Sequence, residues 1–172
     1  MTIRKYMKKI CLLGDAAVGK TSLIRRYVWD IFDDKYITTF GAKVTTKRMN
    51  MTISGHDYHL TMIIWDILGQ NINEPLHAGH YSGTRGAFIV CDLSRPDTIK
   101  NVRLWMDRLT KYAGTVPVLL LGNKCDITSG GSDLLGEISQ DLRLPFKLTS
   151  AKTGLNVEDA FAQLGIMMLE DD

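Results

Sequence analysis

The sequence has few cysteines, no long apolar run and almost no net charge, and each shortage removes a class of protein. Cys11, Cys91 and Cys125 are odd in number and unrelated in spacing, so they build neither a disulfide framework nor a zinc pattern and point to a reducing compartment, the cytosol by default. No stretch approaches the roughly eighteen apolar residues of a membrane span. The run Ile10 to Leu13 behind Arg4, Lys5, Lys8 and Lys9 stops at Gly14-Asp15, too short for a signal peptide. Position 2 is Thr and the last residues are Leu169-Glu170-Asp171-Asp172, so signals for myristoylation and prenylation are missing, and any membrane association is expected to need a partner or an absent tail. Lys plus Arg number 21 against 19 Asp plus Glu, too even a balance for the clustered basic face of a nucleic-acid binder.

What is present is enough apolar material for one compact domain over residues 1–172, with 45% hydrophobic residues. A chain of this length can bury roughly 70% of its unfolded surface without disulfides or a structural metal. Lys9 to Gly14, Ala87 to Leu93 and Val116 to Gly122 read as buried parallel strands, and Pro145 to Thr149 as a shorter one. Helical periods lie between them. Thr21 to Trp29 follows a Gly-rich turn, Ile99, Val102, Trp105, Met106, Leu109 and Tyr112 form one stripe behind Pro96, and Asn156 to Glu170 closes the chain with Asn156 as its expected N-cap. Within that last helix Val157, Ala160, Phe161, Leu164 and one of Met167 and Met168 are expected to face inward.

One segment breaks the alternation. Lys43 to Ile53 and Tyr58 to Asp66 are joined by Ser54-Gly55-His56-Asp57, a turn composition that predicts an antiparallel hairpin and hence a mixed sheet. Period-2 alternation puts Leu60, Met62 and Ile64 on one face and His59, Thr61, Ile63 and Trp65 on a less buried one.

Gly14-Asp15-Ala16-Ala17-Val18-Gly19-Lys20-Thr21 fits G-x-x-x-x-G-K-[ST] between a strand and a helix. Its backbone N–H groups can wrap a β-phosphate at a helix N-terminus, Lys20 can reach the β- and γ-oxygens, and the Thr21 hydroxyl can bind Mg²⁺. The base is addressed by Asn123-Lys124-Cys125-Asp126, just after an apolar strand. A carboxylate at Asp126 can accept from both the ring N–H and the exocyclic amine of guanine, a pair that adenine does not offer. A plain polar turn is the competing explanation for those four residues taken alone. Ser150-Ala151-Lys152 can bring a backbone N–H to the guanine carbonyl oxygen, with the Lys124 and Lys152 stems flanking the ring. Asp66-Ile67-Leu68-Gly69-Gln70 ends the hairpin: Asp66 can hold Mg²⁺ through water, Gly69 can offer its N–H to a γ-phosphate, and Gln70 can orient an attacking water. The histidine pairs His56/His59 and His77/His80 lack a third ligand, and metal binding there is not expected.

The phosphate loop, D-x-x-G-Q, N-K-x-D and S-A-K in this order resemble the Ras superfamily of small GTPases over nearly the whole chain, and Tyr36 to Gly41, Asp15 and Trp65 are similar to Rab proteins. The resemblance implies a P-loop small G domain: a mostly parallel six-stranded sheet with one antiparallel edge strand and helices on both faces. It implies GTP or GDP with Mg²⁺ held by residues 15–22, with Ser22 closing that run. It further implies Thr39 as a metal ligand, Phe32 on the guanine face and Tyr36 over the phosphates. Exchange factor, GTPase-activating protein and effectors would meet a monomer at Phe40, Val44, Ile63 and Trp65. Departures are Leu68 where the family has Ala, Asn71 for a usual Glu, Pro75 in the second switch, and Val44 and His80 in the aromatic trio. Leu68 beside the γ-phosphate predicts hindered GTP hydrolysis, and the lack of an inserted domain that would supply an arginine predicts slow turnover. The alternative, a non-hydrolysing GTP-bound scaffold module, draws on Leu68, Ala16 and Pro75; an ATPase is disfavoured by Asn123 and Asp126.

Overall fold

The computed structural model describes residues 3–33, 41–67 and 78–171. Its strands are β1 (Arg4–Leu13), β2 (Ala42–Ile53), β3 (His56–Ile67), β4 (Thr84–Asp92), β5 (Val118–Asn123) and β6 (Phe146–Leu148). They form one sheet in the order β2-β3-β1-β4-β5-β6, in which only β2 and β3 pair antiparallel. The expected architecture is therefore present, with one extension. β1 starts at Arg4 rather than near Lys9, because the long β3 gives it partners from Arg4↔Tyr58 to Leu12↔Asp66, whereas β4 joins only from Lys9.

The hairpin turn is tighter than its composition suggests. Ile53 pairs with His56, so only Ser54 and Gly55 lie outside the ladder, at φ 51° and 77°. Two consecutive left-handed residues match the strand twist and favour this two-residue connection. Along β3, Leu60, Met62 and Ile64 are fully buried, while His59, Thr61, Ile63 and Trp65 are half-buried, as the alternation predicts.

Helices cover both faces. On one, α1 (Lys20–Trp29) and α6 (Val157–Glu170) pack Leu23, Ile24, Tyr27, Phe161 and Leu164 against Ile10, Leu12 and Phe88. Tyr27 stacks on Phe161 at 3.8 Å between centroids, and Phe88 meets Phe161 edge-on at 4.8 Å. On the other, α2 (Ala78–Tyr81), α3 (Pro96–Lys100), α4 (Val102–Ala113) and α5 (Ser132–Leu142) pack Tyr81, Ile99, Trp105, Leu109, Leu135 and Ile138 against alternate strand residues such as Cys11 and Ile89. The stripe behind Pro96 is divided at Asn101, yet Trp105 N still donates to Asn101 O, so the buried face runs through. In that stripe Met106 and Tyr112 are only half-buried. Asn156 does not cap α6 with its side chain: it sits at φ 58° and its Nδ2 donates to Leu148 O at 2.8 Å. Met168, not Met167, is the buried methionine.

Candidate nucleotide site

After β1 the chain fills one side of it with β2 and β3 and then crosses to the other side for β4, β5 and β6, which makes the carboxyl end of β1 a topological switch point and the natural crevice for a ligand. The loop of residues 14–19 lies there, leading from β1 into α1. Its two motif glycines are dictated by space. A Cβ on Gly14 would stand 2.2 Å from Val90 O, and one on Gly19 would stand 2.3 Å from Asn123 Nδ2, each at a positive φ. Ala17 also takes a left-handed conformation, φ 61°, which costs a residue with a Cβ about 1 kcal/mol.

Side chains from around the sheet hold the loop's carbonyls. Lys20 Nζ donates to Gly14 O at 2.8 Å and Asp15 O at 2.9 Å, Arg95 Nη1 to Ala16 O at 3.0 Å, Lys124 Nζ to Ala17 O at 2.8 Å, and Asn123 Nδ2 to Val18 O at 3.0 Å. With these acceptors committed, the loop offers a ligand mainly N–H groups, the chemistry a phosphate needs. Burial pushes the Lys20 ammonium down to about 8 against the pull of Asp66 and Asp15. A phosphate beside it would favour the charged form and raise it again.

Thr21 and Ser22 follow Lys20 into α1. The Thr21 hydroxyl donates to Asp66 Oδ2 at 2.5 Å, so the start of α1 and the end of β3 place a hydroxyl and a buried carboxylate side by side. This pair of hard oxygen donors fits Mg²⁺, which takes few protein ligands and completes its shell with water and phosphate. Among the described residues no cluster of His, Cys, Asp and Glu large enough to cage a metal alone exists.

The base side is built by β5, β6 and the turns that follow them. Asp126 is exposed, and its Oδ1 accepts from the fully buried Ser150 Oγ at 2.7 Å; that hydroxyl in turn accepts from Thr153 N at 3.0 Å. Ser150 thus fixes the rotamer of the carboxylate expected to read guanine. Asn123 works between segments: besides Val18 O, its Oδ1 accepts from Thr149 Oγ1 at 3.1 Å and Ala151 N at 3.3 Å. Lys124 pairs with Asp92 at 2.7 Å. Burial would raise the Asp92 carboxyl, but hydrogen bonds from Lys124 and Ser94 hold it below the usual carboxylate range. Lys152 is exposed. Phe32 is half-buried against the α1–α6 cluster.

Several supports had no motif to announce them. Arg26 Nε donates to Ala151 O at 2.8 Å and its Nη2 to Lys152 O at 2.6 Å, strapping the base loop to α1. Arg95 and Asp92 are similar cases. Tyr36, Thr39, Phe40, Leu68, Gly69, Gln70, Asn71 and Pro75 lie outside the described residues. On the expected partner face, Val44 is exposed, and Ile63 and Trp65 are half-buried. The Lys9 ammonium stands 3.8 Å from the Trp65 ring centroid and the His80 ring 6.0 Å from it, so that indole is partly covered. Cys125 is half-buried, and burial raises its thiol away from nucleophilic character.

The model of the Ras family matches residues 9–170. The GTP-binding protein YPTM1 of Zea mays is 35% identical over 160 residues, covering 91% of this chain and 75% of its own length. The Ypt/Rab-type GTPase YPT7 of Saccharomyces cerevisiae is 33% identical over 98% of this chain and 85% of its own, and the Ras-related protein RabG2 of Dictyostelium discoideum is 37% identical over 89% and 78%. A family match over nearly the whole sequence, on a loop and strand edge shaped for phosphate, settles the assignment: the chain belongs to the Ras family and is a Rab-like small GTPase.

Proposed function

We propose that this GTPase holds GTP or GDP together with Mg²⁺ at residues 15–22, reads the base with Asp126, and alternates between two forms that partners distinguish. The observation that carries the reading is the meeting of Lys20, Thr21 and Asp66 at one end of the crevice, with the Ser150-fixed carboxylate of Asp126 on the base side. Phosphoryl transfer asks a protein chiefly for positioning and charge neutralisation. Lys20 supplies positive charge to the β- and γ-oxygens, and the loop N–H groups supply fixed dipoles. Thr21, Thr39 and Asp66 would hold Mg²⁺, which would supply further neutralising charge there. Gln70 orients the attacking water, and Gly69 and Thr39 respond to the γ-phosphate, so its loss releases both switch segments. Intrinsic turnover is slow, roughly 10⁻⁴ s⁻¹ as for Ras, until a partner donates an arginine.

Exchange factor, activating protein and effectors meet the protein at the face of Phe40, Val44, Ile63 and Trp65, as a cytoplasmic monomer. Among the described residues no helix is long and apolar enough to cross a membrane. The deciding experiment is to unfold the purified protein, identify the released nucleotide by chromatography and measure its magnesium. About one equivalent of guanine nucleotide with Mg²⁺ is expected. Adenine nucleotide, or an empty protein that takes up no GDP on titration, would overturn the reading.

A further inference from the structure

Asp15 belongs to the phosphate loop, yet its side chain is turned toward α4. Its Oδ1 accepts from Trp105 Nε1 and its Oδ2 from Asn101 Nδ2, both at 2.7 Å. Both donors are firmly placed. Trp105 is 2% exposed within the cluster that α4 builds against the sheet, and the Arg108 guanidinium lies 5.0 Å from its ring centroid. Asn101 stands at the join of α3 and α4, where its carbonyl accepts from Trp105 N at 3.0 Å. Just outside α3, Arg95 adds its contact to the next loop residue at Ala16 O.

A carboxylate with a neutral donor on each oxygen makes charge-assisted bonds, stronger than neutral ones. Neither donor can follow the loop outward, because one is wedged in the core and the other is fixed at a helix join. Nucleotide release requires the loop to loosen around the phosphates, and that motion would break both bonds. Hydrolysis requires the closed loop and breaks neither.

We propose that Asp15, Asn101 and Trp105 form a latch between the phosphate loop and α4 that sets how slowly nucleotide leaves. Asn101 and Trp105 are positioning residues, acting on the ligand only through the loop. The inference rests on the guanine-nucleotide reading of the pocket, and makes α4 a second lever on nucleotide exchange, separate from the switch segments.

The test loads the protein with a fluorescent GDP analogue and follows its release into excess GDP. Trp105→Phe keeps the ring's bulk but removes the N–H, Asn101→Ala removes the other donor, and Asp15→Ala removes the acceptor. Trp105→Phe and Asn101→Ala should each speed release about tenfold, the size of one hydrogen bond to a charged group, and Asp15→Ala, which removes both bonds, should speed it more than either. Adding Trp105→Phe to Asp15→Ala should give less than about twofold more, since both remove the same bond. Single-turnover hydrolysis of preloaded GTP should stay within about twofold of the parent rate in Trp105→Phe and Asn101→Ala. Parent-like release from Asn101→Ala and Asp15→Ala would overturn the latch, as would an equal acceleration by Trp105→Phe with or without Asp15. If Trp105→Phe does not fold, Asn101→Ala and Asp15→Ala give the same coupling measurement. A parent protein that takes up no labelled GDP would overturn the guanine-nucleotide reading and the latch with it, whereas tight uptake with unchanged release would overturn the latch alone.

Discussion

Asp126 and Asn123 stand three positions apart in one motif and do different work. Asp126 is exposed and oriented by Ser150, whereas Asn123 is 1% exposed and bonded to Val18, Thr149 and Ala151. The motif made both residues legible as site residues, but not this division, because Asn123's partners are mostly backbone groups that no residue letter marks. The same holds for Arg26 and Arg95, which reach the site's loops through backbone carbonyls. Asp126 is the cleaner test of base recognition. In Asp126→Asn the carboxamide can donate where the carboxylate could only accept, which suits the extra carbonyl of xanthine. Guanine affinity should fall by roughly 10²-fold or more while xanthine binding appears. Competition between GDP and XDP measures this, and an unchanged preference for guanine would show that Asp126 does not read the base.

At the scale of elements, runs and periods carried most of the information. The buried strands β4 and β5 and the helix α6 follow directly from theirs, and the hairpin from its alternation. α5 is not legible in the sequence although Leu134, Leu135, Ile138 and Leu142 have helical spacing, because Gly130 and Gly131 precede it and Gly136 interrupts it. The first half of β1 has a polar pattern that does not mark a strand; it is one because β3 pairs with it. The hairpin turn shows how local geometry decides stability apart from packing. A Cβ on Gly55 would meet nothing within 4 Å, so only its φ of 77° penalises a side chain. Gly55→Ala should therefore lower stability by roughly 1 kcal/mol, or about 2–4 °C in melting temperature. The Asp66 end of β3 lies at the other end of the ladder, so GDP affinity should not change. A melt equal to the parent's would mean that the turn relaxes to accept Ala, and a lost affinity would mean that the hairpin register has shifted.

For the molecule as a whole, the site is the place where distant pieces of chain are stitched together at one edge of the sheet. Residues 14–21, 66, 92, 123–126 and 150–152 come from separate loops and strand ends, with a separate apolar cluster packed on each sheet face. The order of motifs made the site legible, but the stitching depends on buried polar groups whose partners appear only once the strands are side by side. Asn123 is the central stitch, joining the loop after β1 to the residues after β6. Asn123→Ala would leave Val18 O, Thr149 Oγ1 and Ala151 N without it in a buried place. That should cost about 2–3 kcal/mol, a fall of roughly 5–10 °C in the melting temperature of the nucleotide-stripped protein. GDP should also bind more weakly, because both ends of its pocket lose their common anchor. Asp126→Asn should leave the stripped protein's melt where it was, since Asp126 is exposed and its Oδ1 position can still accept from Ser150. Melting both variants without nucleotide and then at saturating GDP separates the two roles. If Asn123→Ala melts with the parent while losing GDP, Asn123 touches the ligand and the stitch is wrongly assigned. If both melt early, the base loop is a structural unit that the exposed carboxylate also supports.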